Sequence, residues 1–139
     1  MLYFPRNAAE NAALCVWAES LLDCKFERYQ TIGVMVDKKL AAVAVYHNYR
    51  SPDIQISFAS LSPRWAMPGA VKWITHTYPF EQLGAKRLTA IVRKKNKRVR
   101  RFLEGVGFKL EGTHPKAFPD GDACTYGLLR ENSRYEKHS

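Results

Sequence analysis

The segment from Arg87 to Leu110 constrains the fold most. Arg87 to Val92 is a short apolar run that reads as a strand. Asn96 to Val106 then places Val99, Phe102, Leu103 and Val106 on one helical face and Lys97, Arg100, Arg101 and Glu104 on the other. Asn96 serves as an N-cap, Gly107 as a stop that tolerates a left-handed backbone, and Phe108 to Leu110 returns as a strand. A helix with one apolar face between two strands needs a sheet to lie on.

The rest of the chain supplies that sheet. Asn7 to Cys24 carries Ala9, Ala13, Val16, Trp17, Leu21 and Cys24 at helical spacing, with Asn7 as N-cap and Glu10 three residues on. Thr31 to Val36 and Leu40 to Tyr46 read as strands of a hairpin joined at Asp37-Lys38-Lys39, without a turn glycine. Asp53 to Ala59 alternates Ile54, Ile56 and Phe58 with Gln55, Ser57 and Ala59, the period of a strand with two different faces. Leu61 to Pro68 reads as a loop, and Gly69 to Phe80 as a helix with Pro79 near its end. A Pro/Asp/Gly loop precedes a last strand, Cys124 to Leu129, and the chain after Arg130 reads as a polar, frayed tail. The predicted class is α/β (α+β), a mixed, mostly antiparallel sheet with helices on its faces and a ligand site where strand ends diverge. With 139 residues the chain suits a single domain over 1–139, with its core at about 7–130 and a tail at 131–139.

Composition narrows the function. Lys and Arg number 22 against 13 Asp and Glu, a net charge of +9 that points to an anionic partner: nucleic acid, acidic protein or a phosphorylated cofactor. A mean hydropathy of −0.35, and no apolar run of the roughly 20 residues a spanning helix needs, argue against a membrane partner. The start Met1-Leu2-Tyr3-Phe4-Pro5-Arg6 lacks the pattern of a signal peptide, so the expected location is the cytoplasm. Cys15, Cys24 and Cys124 are odd in number and have no His at metal spacing, so neither a disulfide framework nor a metal site is expected.

The stretch Asn96-Lys97-Arg98-Val99-Arg100-Arg101-Phe102-Leu103-Glu104-Gly105-Val106-Gly107-Phe108-Lys109-Leu110-Glu111-Gly112 resembles the C-terminal half of the GCN5-related N-acetyltransferase (GNAT) family. Asp120-Gly121-Asp122 and Thr125-Tyr126-Gly127-Leu128-Leu129-Arg130 look like the final strand of its ribosomal-protein alanine acetyltransferase-like branch. The likeness spans roughly Ile32 to Arg130.

The resemblance implies an enzyme that moves an acetyl group from acetyl-CoA to an amine, either a protein N-terminal α-amine or a small-molecule amine. It also implies a splayed strand, here Asp53 to Ser60, that leaves its neighbour after Phe58 and takes the pantetheine arm on the backbone of Phe58, Ala59, Ser60 and Leu61. The phosphate loop would be Arg64-Trp65-Ala66-Met67-Pro68-Gly69-Ala70, in which Arg64, Gly69 and Ala70 fit the family pattern. Met67 replaces a glycine there, and Pro68 lacks an N–H. Asn96 matches the Asn that bonds the cofactor arm, and is also an ordinary N-cap. The cluster Arg93 to Arg101, with seven basic residues in nine, reads as cations for the CoA phosphates, as a surface for nucleic acid or a ribosomal protein, or as a solvated face. Cofactor phosphates are favoured, with Arg101 among the ligands.

Ser57, His47 and Tyr126 are the catalytic candidates: Ser57, with Gln55, either lines the substrate side of the splayed strand or pairs across strands, His47 is a candidate base, and Tyr126 is either an acid or a packing aromatic. His76, His114 and His138 carry no motif, and Leu103 stands where many family members have a tyrosine acid. Deprotonating a lysine of pKa about 10.4 at pH 7 costs about 4 to 5 kcal/mol, against about 1 for an α-amine near 7.7 to 8, so the α-amine is the easier acceptor. The predicted mechanism is direct transfer, with backbone N–H groups polarising the carbonyl and the amine proton lost through water. No covalent cysteine intermediate is expected. The acceptor would be read by loops at Asn48 to Pro52 and Thr113 to Asp122. The chain could act as a monomer or a homodimer.

Overall fold

The computed structural model describes residues 1–136. His138 and the end of the expected polar tail lie outside the described residues. Asn7 is extended, and its Oδ1 accepts the Glu10 N–H at 2.9 Å, opening helix α1 (Ala8–Leu22). Asp23, left-handed at φ 54°, closes it. The buried face is Leu14, Cys15 and Ala18, whereas Val16 and Leu21 of the expected stripe are 61% and 45% exposed. Apolar residues surround this helix nearly all the way round, so spacing alone does not select the face that packs.

Strands β2 (Tyr29–Val36) and β3 (Lys39–Arg50) meet at Asp37 and Lys38, both left-handed (φ 53° and 64°). A two-residue hairpin turn whose twist matches the strands needs positive φ at both positions, which this chain achieves without glycine. A strand β1 (Leu2–Tyr3), not foreseen from the sequence, adds to β2. Strand β4 (Asp53–Ser60) pairs antiparallel with β3 and parallel with β5 (Arg87–Arg93). Helix α3 (Lys97–Val106) is capped by Asn96 Oδ1 at the Val99 N–H and stops at Gly107, φ 120°.

The segment Thr113 to Asp122 is not the predicted loop. Strands β6 (Lys109–Phe118) and β7 (Gly121–Leu129) form a long hairpin at the sheet edge. Register shifts at Leu110/Gly112 and His114/Phe118, and a left-handed Lys116, erase the alternation that would have marked it as strand. The seven strands run β1-β2-β3-β4-β5-β7-β6, and β4–β5 is the parallel pair.

After β4 the chain makes a 3-10 turn at Pro63–Trp65 and enters helix α2 (Pro68–Lys72), which continues as a widened π-helical segment, Trp73–Gln82. Pro79 sits inside that segment. A proline in an α-helix clashes with the carbonyl four residues back; the wider turn makes room and bonds five apart, as Leu83 N–H to Tyr78 O shows at 3.0 Å. Ile32, Ile54, Ile56 and Leu88 pack on one sheet face with Ile74 and Phe80 of this helix and with Leu103 and Val106 of α3. On the other face α1 packs Leu14 and Ala18 against Val43, Val45 and Ala59. The expected mixed, mostly antiparallel sheet with helices on both faces is present. From residue 131 to 136 the chain is anchored rather than frayed: Ser133 is buried, with its Oγ 2.8 Å from His76 Nδ1. No helix among the described residues is long and apolar enough to cross a membrane.

Candidate functional site

Strands β4 and β5 pair from Asp53/Arg87 only as far as Ile56/Ala90, yet β4 continues to Ser60 and β5 to Arg93. Their divergence thus begins just past Ile56, ahead of the predicted point after Phe58. Backbone parity decides what each edge offers. Leu61 N–H donates to Ala41 O in the β3 register, so Ser57, Ala59 and Leu61 turn their backbone groups to β3. Pro52 O accepts the Arg87 N–H, which puts the even residues of β4 on the β5 side. Past Ile56, Phe58 and Ser60 thus present N–H and C=O groups to a gap with no strand opposite. Of the four positions expected to bind through backbone, Ala59 and Leu61 face away from it.

A cavity of about 300 Å³ fills the gap, lined among others by Ser57, Phe58, Ser60, Asn96 and Arg98. Trp65 contributes to its wall, its ring 4.2 Å from Phe58 and 5.1 Å from Phe102. From the sequence Phe102 reads as core and Trp65 only as part of the phosphate loop, and nothing in spacing distinguishes a core aromatic from a cavity wall. Arg64, Gly69, Ala70 and Arg101 do not line the cavity. Arg64 is turned toward Asp37 at 2.9 Å, while Gly69 and Ala70 occupy the first turn of α2, where N–H groups have no carbonyl four residues back within the helix.

The basic cluster divides into engaged and unengaged cations. Arg93 pairs with Asp120 at 3.0 Å and stacks on Phe118, Lys95 pairs with Asp120 at 2.7 Å, and Arg100 bonds Tyr126 and the Lys94 carbonyl. Lys94, Lys97, Arg98 and Arg101 have no ion pair among the described residues. Asp120 is held down to a pKa of about 2 by Lys95 and Arg93.

Ser57 and His47 are brought together. The β3/β4 register sets His47 opposite Gln55, one step from Ser57, and Nε2 lies 2.8 Å from Ser57 Oγ. Burial pushes the His47 pKa below its ordinary 6.5, so the imidazole is neutral at pH 7 and can accept a proton. Ser57 lines the gap, whereas His47 lines an adjoining cleft of about 690 Å³. Cys24 lines both, but burial and then Glu19 raise its pKa, which keeps the thiol protonated. Tyr126 stands apart from this grouping: it is fully buried, donates to Glu104 at 2.9 Å and accepts from Arg100 at 3.0 Å. No cluster of three or more metal-ligating side chains exists among the described residues.

Among solved structures, the fold matches acetyltransferases. A protein provisionally described as an acetyltransferase aligns with a TM-score of 0.67 at 26% identity, covering 92% of this chain and 69% of that one. A GNAT-family acetyltransferase from Bacillus anthracis gives 0.60 at 21% identity over 73% of this chain and 66% of that one. The spermidine/spermine N-acetyltransferase of Vibrio cholerae gives 0.61 at 15% identity over 74% and 66%. The chain thus spans about two thirds of the length of these structures. Neither a family model nor a curated protein matches the sequence.

Proposed function

We propose that the chain is a GNAT-family N-acetyltransferase that moves an acetyl group from acetyl-CoA directly to a primary amine. The observation that carries this reading is the divergence of β4 from β5 beyond Ile56/Ala90, with the backbone of Phe58 and Ser60 left unpaired beside a cavity. An extended amide-bearing arm can add there as a strand would, because the edge offers alternating donors and acceptors. When bound, acetyl-CoA supplies an activated thioester.

The chain's own groups have distinct tasks in this reading. The Phe58 and Ser60 N–H groups hold the arm and polarise its carbonyl. Asn96, already an N-cap, lines the cavity and has an amide N–H₂ free to donate. Lys97 and Arg98 stand in the first turn of α3 with no acidic residue, where a helix N-terminus is already positive. Such an arrangement is unfavourable alone and favourable around phosphates, which supports α3 as the phosphate-facing element. His47 takes the amine proton through Ser57 Oγ, in place of the bulk-water route expected from the sequence; as the N–C bond forms the thioester C–S bond would break, and the CoA thiolate would leave and take a proton from solvent. The assignment to the ribosomal-protein alanine acetyltransferase-like branch rests on the sequence likeness from Asp120 to Arg130 alone.

The test is calorimetry with acetyl-CoA, repeated on Lys97→Glu with Arg98→Glu. Micromolar binding to the parent, at least tenfold weaker in the variant, is expected from the loss of two cations beside phosphates. No heat at millimolar acetyl-CoA, together with salt-sensitive binding of RNA or DNA, would instead support a noncatalytic nucleic-acid-binding role for the same cations.

A further inference from the structure

We propose that the acceptor entering the cleft beside His47 is a small aromatic primary amine that also carries an acidic group. The proposal rests on the acetyltransferase reading above. The cleft, about 690 Å³, is of a size that holds one ring with its substituents. Its wall carries Phe26, Tyr29, Tyr46, Tyr49 and Tyr78. Two of those hydroxyls are committed to backbone, Tyr46 to Ile74 O and Tyr49 to Leu83 O at 3.2 Å; Tyr46 is buried behind the wall, whereas Tyr49 is exposed and offers ring surface rather than a polar tip. Phe26 lies 4.8 Å from the His47 ring, which places aromatic surface beside the proton acceptor.

The charged lining is one-sided. Lys25, Arg28 and Arg50 stand against the single carboxylate of Glu27. Lys25 has a distant partner in Glu19 at 4.0 Å, whereas Arg28 and Arg50 make no ion pair or side-chain hydrogen bond among the described residues. Two unengaged guanidiniums on an aromatic cleft fit a carboxylate or phosphate on the acceptor, bound as a fork meets an oxyanion. A polyamine, or any acceptor with a second ammonium group, would meet net repulsion.

Three ring-matched amines test this, with thiol release from acetyl-CoA as the readout: 4-(aminomethyl)benzoate, benzylamine and 1,4-bis(aminomethyl)benzene. We expect kcat/KM to fall in that order by about tenfold or more from first to last, with the spread narrowing as salt rises. Arg28→Glu with Arg50→Glu, both exposed positions, should invert the order while the melting profile shows a folded protein. Equal rates, or preference for the diamine by the parent protein, would overturn the proposal. If acetyl-CoA gives no heat of binding, the acetyltransferase reading has failed and the proposal falls with it. If acetyl-CoA binds but no amine reacts, calorimetric affinities of the three amines for the acetyl-CoA-loaded protein must show the same order, or the proposal is wrong.

Discussion

Replacing Ser57 by Ala and His47 by Gln, singly and together, separates a proton relay from a hydrogen bond that merely stitches β3 to β4. The pair is 2.8 Å apart and partly buried. As an ordinary hydrogen bond, its loss costs about 0.5 to 1.5 kcal/mol of stability, a fall in melting temperature of a few degrees. As a route for the amine proton, its loss removes a general-base contribution of about a hundredfold or more, about 2.7 kcal/mol in the barrier. The transfer assay should therefore lose about a hundredfold in kcat/KM in either single variant. Because the two groups act on one proton, the double variant should be no worse than either single. The pH dependence adds a signature. His47 must be unprotonated to work, and burial lowers its pKa, so the parent's rate per neutral amine, with the acceptor's own ionisation divided out, should show an acid limb below pH 6.5 that vanishes in His47→Gln. Ser57→Ala retaining activity within about threefold of the parent would refute the relay, as would single losses that multiply in the double variant.

Backbone parity makes a paired prediction: Leu61→Pro deletes the N–H that donates to Ala41 O at 2.9 Å and should lower the melting temperature. Ser60→Pro deletes an N–H that faces the gap and should instead weaken acetyl-CoA binding in calorimetry with the smaller effect on melting. Tyr126→Phe should keep transfer within about threefold, since the hydroxyl is committed to Glu104 and Arg100, while losing about 1 kcal/mol in urea denaturation. A hundredfold loss of activity there would mean the hydroxyl reaches the reacting atoms. Burial lowers the His76 pKa, with Glu81 and Glu136 opposing, so the unfolded chain binds a proton near pH 6.5 that the native chain resists. That contribution is fully present above pH 6.5 and is lost as pH falls through the lowered native value. Urea midpoints at pH 7.5 and 5 should thus differ less in His76→Gln than in the parent, and an equal drop in both would contradict the assignment.

What the sequence reveals, and what it hides, follows from which physical signal each residue carries. Helix α3 is legible because its cap, its one apolar face and its stop at Gly107 are all local, and the structure keeps Asn96 and Gly107 in those roles. Helix α1 shows its length but not its face, since Val16 and Leu21 look as apolar as Leu14 and Cys15 until a sheet selects among them. Strand β6 is hidden for a different reason: an exposed, bulged edge buries almost nothing, so no hydrophobic period is imposed on it. The gap needs a third kind of information. Side-chain alternation shows that Phe58 and Ala59 point to opposite faces of the sheet, but not toward which neighbouring strand their N–H groups point. That is decided by register with β3, in which Leu61 meets Ala41, a residue near in space and distant along the chain. His47 and Ser57 depend on the same register, since a slip of one residue would send one of the two side chains to the opposite face. The β3/β4 pairing therefore sets two things at once: which backbone groups line the gap, and whether a neutral imidazole stands beside it. A bulge engineered into β3 between Val43 and His47 should for that reason impair acetyl-CoA binding and proton transfer together, whereas a relay independent of the register would lose only one.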